Sequence, residues 1–219
     1  MTTRHIWSNA TRPLLAAVCV LFSASCGSEL LRTGHTPMFL LVEQMEAAGG
    51  QEPGSFTSSL LSDVRVLVDT DVNGVTVQVP TIFNDLGRAR IRSERKDQGN
   101  LVGGLPQVTS PLNGITLTRY RVNYRRADGR NTPGVDVPFG FDGALSTTIP
   151  PEGAVEVVFD LVRHSSKSEP PLANLAAGGG VRFINAIAEV TFYGRDQNGN
   201  ETMVTGFIDV IFGDFGDEE

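Results

Sequence analysis

The sequence predicts an all-β protein: one two-sheet sandwich of about seven to nine strands. Three observations carry this. Short runs rich in Val, Ile, Phe and Thr are divided by 24 glycines and 12 prolines. No stretch keeps a 3.6-residue apolar period for long. Two Asn-Gly pairs, Asn73-Gly74 and Asn198-Gly199, each sit between alternating segments.

Taken in order, the candidate strands are 38–43, 61–72, 75–81, 88–94, 114–126, 145–149, 154–163, 183–194 and 202–212. Two long loops are expected at 97–113 and 127–144, and one helical turn around 172–177. Register can be argued for two hairpins. With Asn73-Gly74 as a two-residue turn, Val72 faces Val75, Thr70 faces Val77 and Val68 faces Val79. One face then collects Val64, Val66, Val68, Thr70, Val72, Val75, Val77 and Val79, and a one-residue slip destroys that segregation. With a three-residue loop at 197–199, Phe192 faces Val204, Val190 faces Gly206, Ala188 faces Ile208 and Ala186 faces Val210. Amphipathic hairpins need a second layer, so the expected core is Val64, Val66, Val68, Val77, Val79, Tyr120, Val122, Tyr124, Val190, Phe192 and Ile208.

Residues 1–25 read as an export signal. Arg4, His5 and Arg12 precede the apolar run Leu14–Phe22, and the small residues Ser23, Ala24 and Ser25 precede Cys26. Nine apolar residues fall far short of the ~20 that a spanning helix needs. The stretch Leu21-Phe22-Ser23-Ala24-Ser25-Cys26 resembles a bacterial lipobox, with Ser23 where Leu is usual. The resemblance implies lipidation of Cys26; the alternative is ordinary cleavage near Ser25. The division expected is a signal over 1–25, the lipidated cysteine and a tether over 26–36, the sandwich over 37–214 and an acidic tail over 215–219.

Composition excludes several classes. The chain carries 25 acids against 18 basic residues, and Arg4 and Arg12 lie in the signal, which argues against a general nucleic-acid binder. Both cysteines, Cys19 and Cys26, lie in the signal region, so the folded part has no disulfide, thiolate metal site or cysteine nucleophile. Only Lys96 and Lys167 are lysines. His164 stands near Ser165, Ser166 and Asp160, yet no G-x-S-x-G elbow, zinc spacing, phosphate loop or dinucleotide fingerprint is present. An enzyme built on paired carboxylates leaves no local motif and stays open. No cofactor is expected.

Asp69-Thr70-Asp71-Val72-Asn73-Gly74 matches the first half of an EF-hand loop. The twelfth position, where a bidentate Glu belongs, is Pro80, so Asp69, Asp71 and Asn73 are weak calcium candidates. Asp196, Asn198, Asn200 and Glu201 are a second oxygen cluster, read more simply as a polar turn. Arg88, Arg90 and Arg92 alternate in one strand, and Arg119, Arg121 and Arg125 in another. Each set is either a basic stripe for a polyanion or a solvated face paired with acids. Phe139 and Phe141 in the 127–144 loop are either exposed anchors or plugs over the sandwich end.

Two further resemblances are broader. Residues 115–126, with Tyr120, Val122 and Tyr124 alternating, look like the central strand of fibronectin type III or other immunoglobulin-like domains, although Trp7 in the signal is the sole tryptophan. Residues 80–88, 124–138 and 189–196 are similar to a group of uncharacterised bacterial predicted lipoproteins, a resemblance that implies no activity. The function expected is a non-catalytic envelope lipoprotein, held to the membrane by the lipid on Cys26 and presenting its sandwich to an envelope protein or surface polymer. The alternative is a glycan-binding module using Tyr120, Tyr124 and Tyr193, with or without calcium.

Overall fold

A computed structural model of the chain describes residues 36–96, 109–176 and 183–215. Its strands are β1 (Met38–Ala48), β2 (Ser59–Asp63), β3 (Val66–Val72), β4 (Val75–Thr81), β5 (Asp85–Arg95), β6 (Ile115–Arg125), β7 (Phe141–Ile149), β8 (Ala154–Val162), β9 (Phe183–Asp196) and β10 (Glu201–Gly213). Two short helical turns, α1 (His164–Lys167) and α2 (Ala173–Ala176), follow β8. The all-β prediction holds, and α2 falls inside the expected helical turn.

The strands form a three-stranded sheet β1-β5-β8, a five-stranded sheet β2-β10-β9-β6-β7 and a separate ribbon β3-β4. The two larger sheets lie face to face. Their inner residues alternate along each strand, because successive side chains point to opposite faces. Phe159 of β8 packs its ring 5.3 Å from Phe192 of β9 and 5.1 Å from Tyr120 of β6. The Tyr124 hydroxyl on β6 donates across the interior to the Leu161 carbonyl on β8, at 2.6 Å. Burial pushes the Tyr124 phenol up from its ordinary value. Gly143 on β7 has no side chain because the Tyr120 ring fills that space; a Cβ there would lie 2.2 Å from it.

Bulges decide which face the charges occupy. The β6 register shifts between Leu117 and Arg119 against both neighbours. Ile115 and Leu117 point inward before the shift, and Tyr120, Val122 and Tyr124 after it. Arg119, Arg121 and Arg125 are therefore turned outward. A second shift, between Val42 and Gln44 of β1, isolates Glu43.

Both hairpin registers agree with expectation. Phe192 pairs with Val204, Val190 with Gly206 and Ala188 with Ile208. Val68 pairs with Val79, Thr70 with Val77 and Val72 with Val75. Asn73 and Gly74 both have positive φ, 57° and 82°, as a type I′ turn requires.

Four expectations fail. Segment 61–72 is not one strand. At Val64 the backbone N–H donates to the Gly213 carbonyl at 2.8 Å, and Arg65 reaches the Asp214 carboxylate at 3.1 Å. These bonds pin the chain to the end of β10 and split it into β2, which runs parallel to β10, and β3. Beyond that point the ribbon leaves the sandwich. Val64 and Val66 are buried, but Val68 is only half-buried and Val77 and Val79 are exposed, so these three are not core. Last, β7 begins at Phe141, which shortens the loop expected at 127–144, and β1 runs on to Ala48 instead of stopping at 43.

Candidate functional site

The outer face of the five-stranded sheet combines apolar and cationic side chains in adjoining bands. On β10 the outward residues include Met203, Phe207 and Ile211, with Phe207 60% exposed and Met203 59%. Leu61 of β2 pairs with Ile211 and is itself 62% exposed. Phe207 pairs with Glu189 on β9, which makes Ile187 its diagonal neighbour, a distance that aromatic side chains span. Leu61, Ile211, Ile187 and Phe207 thus trace a zigzag apolar diagonal across three strands, with the exposed Asp209, which pairs with Ile187, standing between Ile211 and Phe207 on β10.

Beside that diagonal, β6 lays down the arginines. Arg119, Arg121 and Arg125 pair with Tyr193, Thr191 and Ile187 of β9. The Arg119 guanidinium lies over the Tyr193 ring at 3.5 Å from its centroid. Asp142 receives Arg119 at 3.1 Å and stands 3.9 Å from Arg121, while Glu189 receives Arg125 at 3.1 Å. Three cations face two carboxylates here, and the arginine side chains stay about half to two-thirds exposed (49%, 49% and 66%).

The other arginine set behaves differently. On the outer face of the three-stranded sheet, Arg88 donates to Glu46 at 2.8 Å and Arg90 to Glu43 at 2.9 Å. Arg92 also bonds Glu43 and stands 3.6 Å from Glu94, and Arg90 has Glu156 at 3.6 Å. The bulge at Glu43 sets its carboxylate between two guanidinia. Arg92 first, then Arg90, holds it below the usual glutamate range. This stripe is a network of ion pairs.

The remaining sequence candidates scatter. Asp71 accepts the Gly74 backbone N–H at 2.8 Å, so it caps the ribbon turn. Asp69, Asp71 and Asn73 gather no further acids or histidines, and no group of three or more such side chains is placed to hold a metal among the described residues. Asp196 accepts from Asn198 and Asn200 backbone N–H groups, both at 2.9 Å, and organises the 197–199 turn. Phe141 is half-buried, edge-on to Tyr120 at 6.2 Å with Arg163 stacked on it at 3.9 Å, and acts as a plug. Phe139 is 54% exposed, although its ring lies against Gly134. In the same loop Asp128 takes both Arg126 and Arg130, which hold its carboxyl well below the usual range. His164 makes no triad: its Nδ1 lies 2.9 Å from Asn84 Oδ1, which also accepts the His164 backbone N–H at 2.7 Å. Cys26 lies outside the described residues.

Sequence reasoning missed one cluster entirely. Lys167 on α1 and Asp85 at the start of β5 form an ion pair of 2.8 Å, with both side chains 1% exposed. Asp85 also takes the Ser62 hydroxyl at 2.6 Å and the Gly50 backbone N–H at 2.9 Å, and Lys167 donates a second bond to the Asp63 carbonyl at 2.8 Å. This pair underlies a cleft of about 550 Å³ whose apolar walls include Leu60, Leu61, Val66, Phe83 and Phe215. Burial seals Lys167 beneath the cleft instead of offering it to a ligand. The rarity of lysine in the chain was the only sequence signal, since the partners lie 82 residues apart.

No protein-family model, curated protein or solved structure matches the chain.

Proposed function

We propose that the chain is an exported lipoprotein, anchored through Cys26, whose sandwich is a non-catalytic scaffold that docks another envelope component on the outer face of its five-stranded sheet. The carrying observation is the apolar diagonal of Leu61, Ile211, Ile187 and Phe207 lying beside half-exposed arginines. Recognition surfaces combine exposed aromatic anchors with arginine in this way, and arginine can meet carboxylates with two parallel bonds. The matching partner is a protein surface with an apolar centre and an acidic flank. The signal-like residues before Cys26 support export, and the position of Cys26 after small residues supports acylation.

Other readings draw less support. A glycan platform needs open aromatic faces, whereas Tyr120 and Tyr124 are buried and Tyr193 is covered by Arg119. At the cleft, Asp85 has both carboxylate oxygens engaged, which leaves it poorly placed for acid–base work.

The test is site-specific photo-crosslinking in intact envelopes, with a benzophenone side chain in place of Phe207 and, as control, in place of Arg90. The proposal expects a discrete crosslinked product from position 207 and none from position 90. Equal labelling at both positions, or at neither, overturns the docking face. Intact mass of the native N-terminus tests the anchor separately, because an unmodified Cys26 thiol would sink it.

A further inference from the structure

Strand β10 is paired along only part of one edge: Ser59–Asp63 of β2 covers Asp209–Gly213. Among the described residues no strand lies on that side of β10 before Asp209. Two bonds fix the backbone direction there. The Asp196 N–H donates to the Asn200 carbonyl at 3.0 Å, so the even-numbered residues of β10 turn their backbone groups to β9. The Val64 N–H donates to the Gly213 carbonyl at 2.8 Å, so the odd-numbered residues turn theirs the other way. The N–H and C=O groups of Met203, Thr205 and Phe207 therefore point off the sheet, and no strand among the described residues bonds them.

This edge lacks the devices that usually guard one. Thr202–Ile208 contains no proline and no charge, and its register with β9 runs without a bulge. At the opposite seam of the sandwich, by contrast, Arg163 donates to the Asp142 carbonyl of the edge strand β7 at 2.7 Å. The core is also thinner beside the open stretch. Val42 and Met45 of β1 and Val204 of β10 pack inward yet stay half-buried, whereas Val190 and Phe192, one strand further in, are fully buried. An extended backbone satisfies the outward groups of β10, and apolar side chains on its inner face cover those three residues.

We infer that a partner protein adds a strand to β10 between Glu201 and Asp209, through an extended apolar stretch with a basic residue near each end. This rests on the docking reading above and names how the partner is held. The open stretch, Thr202–Ile208, spans roughly 24 Å, the length of an ordinary strand. Glu201 and Asp209 bracket it on the outer face, both exposed and neither in an ion pair with another described residue. Met203 and Phe207 flank Thr205 between them, so the outward side chains of the added strand meet apolar neighbours, and its basic ends meet the two carboxylates. The same carboxylates oppose a second copy as the occupant. In every two-fold antiparallel register that covers the whole stretch, Glu201 of one copy lies opposite or diagonal to Asp209 of the other. The acidic flank of the partner meets the arginines of β6, two strands away from this edge.

The experiment keeps the benzophenone side chain at position 207 of the full-length chain in intact envelopes, and adds Thr205→Pro or, for comparison, Thr205→Ala. Both changes remove the Thr205 hydroxyl and its contact with Thr191. Only proline removes the outward N–H, which the ladder to β9 does not use. The expected result is a crosslinked product about tenfold scarcer with Thr205→Pro than with Thr205→Ala. Equal yields from the two variants overturn strand addition and leave the docking face standing. No product from position 207 in the otherwise unaltered chain overturns both, and a product of twice the chain mass gives the edge to a second copy and overturns the inference. Hydrogen exchange of the crosslinked product is a readout that needs no proline: the Met203 and Thr205 amides should exchange about tenfold more slowly than in the free chain. Unchanged exchange at both amides overturns the inference.

Discussion

The β9-β10 hairpin and the β3-β4 ribbon are built alike. Each turns on an Asn-Gly pair, each segregates apolar side chains to one face, and each has the register that its alternation specifies. Yet Val190 and Phe192 are fully buried, while Val75 is 61% exposed. The difference lies in their neighbours. Strands β9 and β10 have β6 and β2 on their flanks and the three-stranded sheet in front, where Met45 and Val42 of β1 press against Gly206. Among the described residues, strands β3 and β4 pair only with each other. Alternation therefore specifies which residues face the same way, and strand order decides whether anything stands opposite.

The sharpest way to break this comparison is to cut both hairpins equally. Phe192→Ala removes a fully buried ring and should destabilise the chain by about 3–5 kcal/mol. Val77→Ala at dilute concentration should change stability by less than about 0.5 kcal/mol. Urea midpoints that moved equally for both would show that the ribbon is as buried as the core. Asp85→Ala belongs with the buried side, at about 3–5 kcal/mol, because it leaves the Lys167 ammonium uncompensated. Replacing both partners, Asp85→Leu with Lys167→Met, should recover most of that loss; a double variant no better than the single one would mean that the pair is not the unit.

Tyr124→Phe probes the interior between the sheets at about 1 kcal/mol near neutral pH, the worth of its bond to the Leu161 carbonyl. It also has a pH signature. Because the folded Tyr124 phenol titrates above the ordinary value of 10.0, stability is fully present below that pH and falls as the solution becomes more alkaline. Above that pH the slope from this one group approaches about 1.4 kcal/mol per pH unit, and Tyr124→Phe should remove it from denaturation curves taken at pH 10 to 12. The smallest effect belongs to the exposed ion pairs. Glu43 titrates below 4.5 in the fold, so its contribution is present above that pH and fades as pH drops through the lowered folded value. Glu43→Gln should flatten the acid limb and lower neutral stability only slightly, because solvent screens these exposed pairs; a large loss at neutral pH would contradict the exposed placement.

What was legible in the sequence follows the same line. Period-two alternation and Asn-Gly turns act over a few residues, so both registers and the inward placement of Tyr120, Val122 and Tyr124 could be read. The break at Asp63–Arg65 could not. No Gly or Pro marks it, the valine alternation runs straight through, and its cause is the end of β10 at Gly213 and Asp214. The arginine stripes divide similarly: alternation placed each set on one face, but the carboxylates that neutralise Arg88, Arg90 and Arg92 come mainly from β1, more than 40 residues earlier. Within the candidate site, the arginines of β6 were visible from spacing. Phe207, Ile187 and Leu61 were not, because only strand order brings them together.

The bonds made by Asp85 also bear on how long the native state lasts. They join it to Gly50, Ser62 and Lys167, which lie 35, 23 and 82 residues away along the chain. Closing loops of those lengths costs entropy, so this junction assembles only after the sheets have brought all four segments together. Contacts that form after the rate-limiting step hardly affect how fast a chain folds and chiefly set how slowly it opens. Asp85 is thus a latch on the unfolding rate: weakening it shortens the lifetime of the folded chain and leaves its refolding rate almost untouched.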